Sequence, residues 1–208
     1  MRTRMLAPTW DNVETVIAAL RRGALVAFPT DTVYGLGALA NHEEAVTRIF
    51  QVKGRGAGKP IAVLLADAED LPLVAREIPE AARRLAARFW PGALTLVLPS
   101  RDSVVAVARA GSPNVGVRLP DHPVARDLIR RLGAPLATTS ANRSGQGSLR
   151  FADEVWLELN GQIEYIIEGE CPGGVESTVV DLSVAPPAVL RAGAITLAQI
   201  EAALAGLG

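Results

Sequence analysis

The chain has 208 residues, 21 basic and 22 acidic side chains, and a net charge of −1. Hydrophobic residues make up 49% and charged residues 21%, which suits one globular domain with a substantial core and excludes a disordered chain. One cysteine, Cys171, rules out an internal disulfide or a cysteine-rich zinc site, and two histidines, His42 and His122, leave little for a metal cluster or a Ser-His-Asp triad.

At the N-terminus, Met1-Arg2-Thr3-Arg4-Met5 lacks the apolar core of a secretory signal. The longest apolar run, residues 61–66, is too short to span a bilayer, so a cytoplasmic location is expected. Asp11 reads as the cap of a helix with Val13, Val16, Ile17 and Leu20 on one face and Gly23 as its stop. Residues 24–28 form a buried strand broken by Pro29. Asn41 caps a second helix, with Glu43 and Glu44 in its first turn and Ala45, Ile49 and Val52 along one side. Residues 61–65 predict a strand, 79–89 a helix, 94–98 and 115–118 strands, and 123–132 a helix. Strands follow at 135–138, 165–167, 177–182 and 188–190, with helices at 153–159 and 196–204. No linker, repeat or low-complexity run divides the chain, so residues 1–208 read as a single α/β domain. The later strands come without intervening helices, which implies a twisted, mixed, open sheet flanked by helices, with a ligand cleft at strand ends.

Four loops at strand ends collect glycine, small hydroxyls and isolated charges. In Pro29-Thr30-Asp31-Thr32-Val33-Tyr34-Gly35-Leu36-Gly37, donors and acceptors stand beside glycines that permit close backbone approach. Lys53-Gly54-Arg55-Gly56-Ala57-Gly58-Lys59-Pro60 is a positive loop suited to polyphosphate. It is one residue short of a P-loop, with Pro60 where the magnesium-binding hydroxyl belongs, and it runs from helix to strand rather than strand to helix. Thr138-Thr139-Ser140-Ala141-Asn142-Arg143-Ser144-Gly145 offers directional hydrogen bonds. Gly173-Gly174-Val175-Glu176-Ser177-Thr178, with Arg191 after the next strand, offers backbone amides and a guanidinium to an anion. Cys171, with no histidine near it in sequence, reads as structural.

The basic residues carry a further clue. Nineteen are arginine and two are lysine, Lys53 and Lys59, which fall six positions apart in the same loop. Lysine is a compact point charge and arginine a planar fork, so either the fork does not fit at these two positions or they are a chance pair of surface lysines. The balanced net charge and 4% aromatic content argue against stable binding of RNA or DNA.

In this order, PTDTVYGLG, Lys53-x-Arg55 with Lys59-Pro60, FWPGALTLVL at 89–98, GVRLPDHP at 116–123, Ser140-x-Asn142, VESTVVD at 175–181 and LRAG at 190–193 resemble the YrdC-like family, the threonylcarbamoyl-AMP synthases. The resemblance spans residues 12–204 and fits the short, single-domain form. It implies that L-threonine, bicarbonate and ATP give threonylcarbamoyl-AMP and pyrophosphate, a product passed to a separate transferase that modifies tRNA. It also implies magnesium entering with ATP, no protein-ligated metal, and at most weak tRNA binding. The family pattern assigns catalysis to Lys53, Arg55, Ser140 and Asn142. It gives ATP contacts to Arg55, Lys59, Asn114, Ser140, Asn142, Ser148 and Arg191, and threonine contacts to Thr32, Arg118, Thr138 and Ser177. Two departures stand out: Gly56 where many relatives have proline, and Leu64 where some present histidine. Competing readings are a non-catalytic RNA-binding module and a synthase of another carbamoyl adenylate.

For Arg118 the local pattern adds its own argument. Gly116 and Arg118 share one strand face, and glycine leaves room beside the guanidinium for a carboxylate to be gripped bidentately. The structural alternative is an ion pair to Asp121 or Asp181.

Overall fold

A computed structural model describes residues 2–206. Along the chain run β1 (Arg4–Leu6), α1 (Trp10–Leu20), β2 (Val26–Phe28), β3 (Gly35–Leu39), α2 (Glu43–Lys53), β4 (Ala62–Leu64) and the short α3 (Leu71–Val74). Then come α4 (Glu80–Phe89), β5 (Leu94–Pro99), β6 (Asn114–Arg118), α5 (Pro123–Leu132), β7 (Leu136–Ser140) and α6 (Ala152–Leu159). Last are β8 (Tyr165–Ile167), β9 (Thr178–Asp181), β10 (Ala188–Arg191) and α7 (Leu197–Leu204). The described strands join one mixed sheet in the order β1-β8-β2-β3-β7-β4-β6-β5-β9-β10. The α/β class, the mixed sheet and the flanking helices are those expected from the alternation.

Several elements differ from the sequence reading: α3 was not expected, and α1 starts at Trp10 with Thr9 at its cap position, so Asp11 lies in its first turn. β1 pairs in parallel with β8 at the sheet edge, although its three residues carry no periodic signal. Residues 35–39 form a strand between β2 and β7 rather than the end of a loop. Gly35 and Gly37 suit that strand because a β-carbon at either position would lie 2.9 Å from a neighbouring side-chain atom, on Thr138 and Phe28 respectively. The cap of α2 is His42, whose Nδ1 accepts from the Ala45 amide, and not Asn41.

Side chains alternate across a strand, so each strand serves both faces of the sheet. One face buries Ala27, Leu36, Val63, Leu96, Val117 and Val180 against α2, α4, α6 and α7. On the other, Val26, Phe28, Leu64, Leu136 and Ile167 pack under α1 and α5. Those two helices cover that face from β8 to β7 and reach Leu64 of β4. Over β4, β6, β5 and β9 the same face carries the cleft.

Candidate active site

The cleft has a volume of about 570 Å³. Its floor is the uncovered face: Ala62 and Leu64 of β4, Asn114, Gly116 and Arg118 of β6, Thr95 and Val97 of β5, and Val179 and Asp181 of β9. Its walls are the loop after β2, the loop after α2, and the end of β7. The cleft thus starts at strand ends, as expected, and extends along the sheet. A more open depression of about 880 Å³ near Arg21, His42, Glu43 and Arg48 gathers none of the candidate ligand residues.

At one corner stands Arg118, a buried guanidinium. Its Nε donates to Gly92 O at 3.0 Å, Nη1 to Thr32 Oγ1 at 2.9 Å and Nη2 to Asp31 Oδ1 at 2.6 Å. The acid is therefore Asp31, not Asp121 or Asp181; Asp121 contributes only its backbone amide, to the same Asp31 oxygen. Burial pulls the guanidinium pKa down and the Asp31 charge opposes that shift. Three of the five guanidinium N–H groups are used, leaving one on each Nη for a ligand. The room expected beside Gly116 is partly taken by Thr95, whose methyl would lie 3.2 Å from a β-carbon there.

The Thr32 loop is braced from behind. Thr30 Oγ1 donates to Val33 O at 2.7 Å, and the Gly174 amide donates to Thr32 O at 2.6 Å. That bond takes the Gly174 amide away from the anion expected there. Gly173 is glycine because a β-carbon would stand 2.4 Å from Asp31 O. Cys171 is buried, accepts from the Thr30 amide, and has its thiol pKa pushed up to about 11 by burial, so it is no nucleophile.

The cations lie across the cleft. Lys53 ends α2 with its ammonium buried against the carbonyls of Ser140 and Asn142, both of which accept from Nζ. Burial, then the neighbouring Arg55 charge, lowers its pKa to about 8. Arg55 donates to Lys59 O at 3.0 Å and Pro60 O at 2.8 Å, while Lys59 is exposed. Among the described residues no carboxylate lies in ion-pair range of Lys53, Arg55 or Lys59. Arg191, by contrast, pairs with Glu176 at 2.6 Å and reaches Ser177 Oγ at 3.0 Å, which in turn meets Thr95 Oγ1 at 2.8 Å.

All the candidate residues line this cleft except Ser148, which lies exposed outside it. The sequence reading missed Thr95, Val97, Val179 and Asp181 as floor residues. Thr95 stood out only as the polar residue of an otherwise apolar strand, and Asp181 only as a possible acid partner of Arg118.

Residues 18–193 match the model of the Sua5–YciO–YrdC family, described as "Telomere recombination". The chain belongs to the Sua5–YciO–YrdC family. Threonylcarbamoyl-AMP synthase of Pyrococcus abyssi is 51% identical over 183 residues, covering 88% of this chain and 54% of its own length. That of Bacillus subtilis is 47% identical over 189 residues, covering 90% and 55%. The chain therefore spans about half the length of these two curated relatives. The crystal structure of P. abyssi Sua5 complexed with L-threonine matches with a TM-score of 0.92 at 45% identity, over 98% of this chain and 60% of that one. Escherichia coli YciO, at 24% identity, shares the fold over 95% of this chain and 99% of its own, with a TM-score of 0.87.

Proposed function

We propose that this cleft makes threonylcarbamoyl-AMP and pyrophosphate from L-threonine, bicarbonate and ATP. The observation that carries the reading is the meeting, in one cleft, of a pre-oriented arginine beside threonine and serine hydroxyls with three cations that form no ion pair among the described residues. The threonine complex of the related P. abyssi protein supports it, as do the synthase names of the related chains.

The two remaining Nη hydrogens of Arg118 receive the threonine carboxylate, with Thr32, Thr138 and Ser177 around it. The threonine amine and bicarbonate condense to the N-carboxylate with loss of water. A carboxylate oxygen then attacks the α-phosphorus of ATP, forming the new P–O bond as the bond to the β-phosphate oxygen breaks and pyrophosphate leaves. Lys53, Arg55 and Lys59 neutralise the triphosphate, and Ser140 and Asn142 orient it. Such a reaction needs positioning and charge stabilisation rather than a protein nucleophile. Magnesium enters with ATP. The product is handed to a separate transferase for tRNA modification, and this chain itself binds tRNA weakly at most. The setting is cytoplasmic, a reading compatible with the absence, among the described residues, of any helix long and apolar enough to cross a membrane.

Pyrophosphate release tests this directly. It should require ATP, bicarbonate and L-threonine together, and equal release with threonine omitted would overturn the assignment.

A further inference from the structure

Once the Arg118 corner holds the amino acid and the cation loop holds phosphates, the floor around Gly116, Val97 and Val179 is left for the nucleotide base. Val97 pairs with Gly116 on one side and Asp181 on the other, so these three form one cross-strand row. Leu190, 60% exposed, overhangs the same cleft and offers an apolar surface for a ring to rest against.

At the edge of that floor Asp181 is held in one orientation. Its Oδ1 accepts from the Ser183 amide at 2.9 Å and the Ser183 hydroxyl at 2.6 Å. That hydroxyl accepts in turn from Asn114 Nδ2 at 2.8 Å. Asp181 forms no ion pair among the described residues, and its Oδ2 has no hydrogen-bond partner there. Asn114 Nδ2 keeps a second N–H. One hydroxyl thus joins a free acceptor, Asp181 Oδ2, to a spare donor on Asn114.

Adenine offers the complementary edge, with a donor at its 6-amino group and an acceptor at N1. A 6-oxo purine reverses both. We infer that Asp181, braced by Ser183 and Asn114, is the base-specificity residue of this cleft, accepting the 6-amino group of adenine and repelling a 6-oxo base. The inference rests on the proposed use of ATP.

Calorimetry with ATP and inosine triphosphate tests it without turnover. The intact chain should bind ATP at least about tenfold more tightly than inosine triphosphate, as expected for a hydrogen bond to a charged group. In Asp181→Asn, whose amide oxygen still receives the Ser183 donors, that ratio should fall to one or below, because the amide nitrogen then facing the base donates to a 6-oxo group and not to a 6-amino group. Loss of the negative charge acts on both triphosphates alike and cancels in the ratio. Ser183→Ala, which loosens the carboxylate but retains it, should lower the ratio by less. ATP binding with a ratio that neither variant moves overturns the base assignment alone. A native chain that binds neither triphosphate overturns both the assignment and the proposed function.

Discussion

The Arg118 corner and the Lys53–Lys59 loop are both positive, yet they are built in opposite ways. Arg118 is held before any ligand arrives: its side chain is 9% exposed, it faces Asp31 at 2.6 Å, and three acceptors fix its plane. Arg55 and Lys59 are held only by their own short loop, or not at all. In the proposed reading the corner is a preorganised receptor for a planar carboxylate. The loop stores uncompensated charge, which a triphosphate would neutralise. Lys53 belongs to both types, because its ammonium is buried like Arg118 yet forms no ion pair among the described residues.

The largest effects should separate these two designs. Arg55→Ala should lower turnover well over tenfold by removing a counter-ion from the transition state, while the melting temperature stays put. Lys53→Ala should lose as much turnover and also shift the melting temperature, because two buried carbonyls lose their donor while the cost of burying the ammonium is relieved. Equal melting temperatures for the two variants would break the distinction.

Arg118→Lys comes next. Threonine affinity should fall by about 1.5–3 kcal/mol with the loss of the fork, ATP affinity should hold, and the melting temperature should drop because Asp31 and Thr32 lose their fitted partner. Calorimetry that shows unchanged threonine binding with a lower melting temperature would reduce Arg118 to an ion pair.

A pH effect sharpens the position of Lys53. Its pKa is lowered from 10.5 to about 8, so between those values the unfolded chain binds more protons than the folded one. The cost of burying the ammonium is therefore present in full below about pH 8 and is relieved as pH rises toward 10.5. Above pH 8 the charge proposed to face ATP is lost, so the KM for ATP should rise there. Lys53→Met should show neither trend, by urea titration or by kinetics, and persistence of both would assign them to another group.

The smallest effect is expected at Lys59. The scarcity of lysine suggested a site with no room for a fork, but Lys59 is exposed and its side chain makes no hydrogen bond among the described residues. Lys59→Arg should keep activity within about threefold, since the charge is preserved. A larger loss would restore the argument from composition.

What was legible in the sequence follows from what each residue answers to. Helices and buried strands announced themselves because their side chains respond to one apolar layer. β3 did not, because Gly35 and Gly37 respond to Phe28 and Thr138, neighbours that only the folded sheet supplies. The cation loop was readable because its charge is left unpaired. The Arg118 corner was half readable: the strand pattern pointed its side chain correctly, but Asp31 lies 87 positions away, and no local spacing could have selected it over Asp121 or Asp181. The cleft floor was hardest, since Thr95 and Val97 look like ordinary strand residues until α1 and α5 stop short of covering them.

The central claim is that both halves of the cleft act on one reaction. Mass spectrometry of the nucleotide product formed from ATP, L-threonine and ¹³C-bicarbonate tests it most directly. The product should be an adenylate carrying threonine and one ¹³C atom, released with pyrophosphate. Formation of only unlabelled AMP or ADP under the same conditions would contradict it.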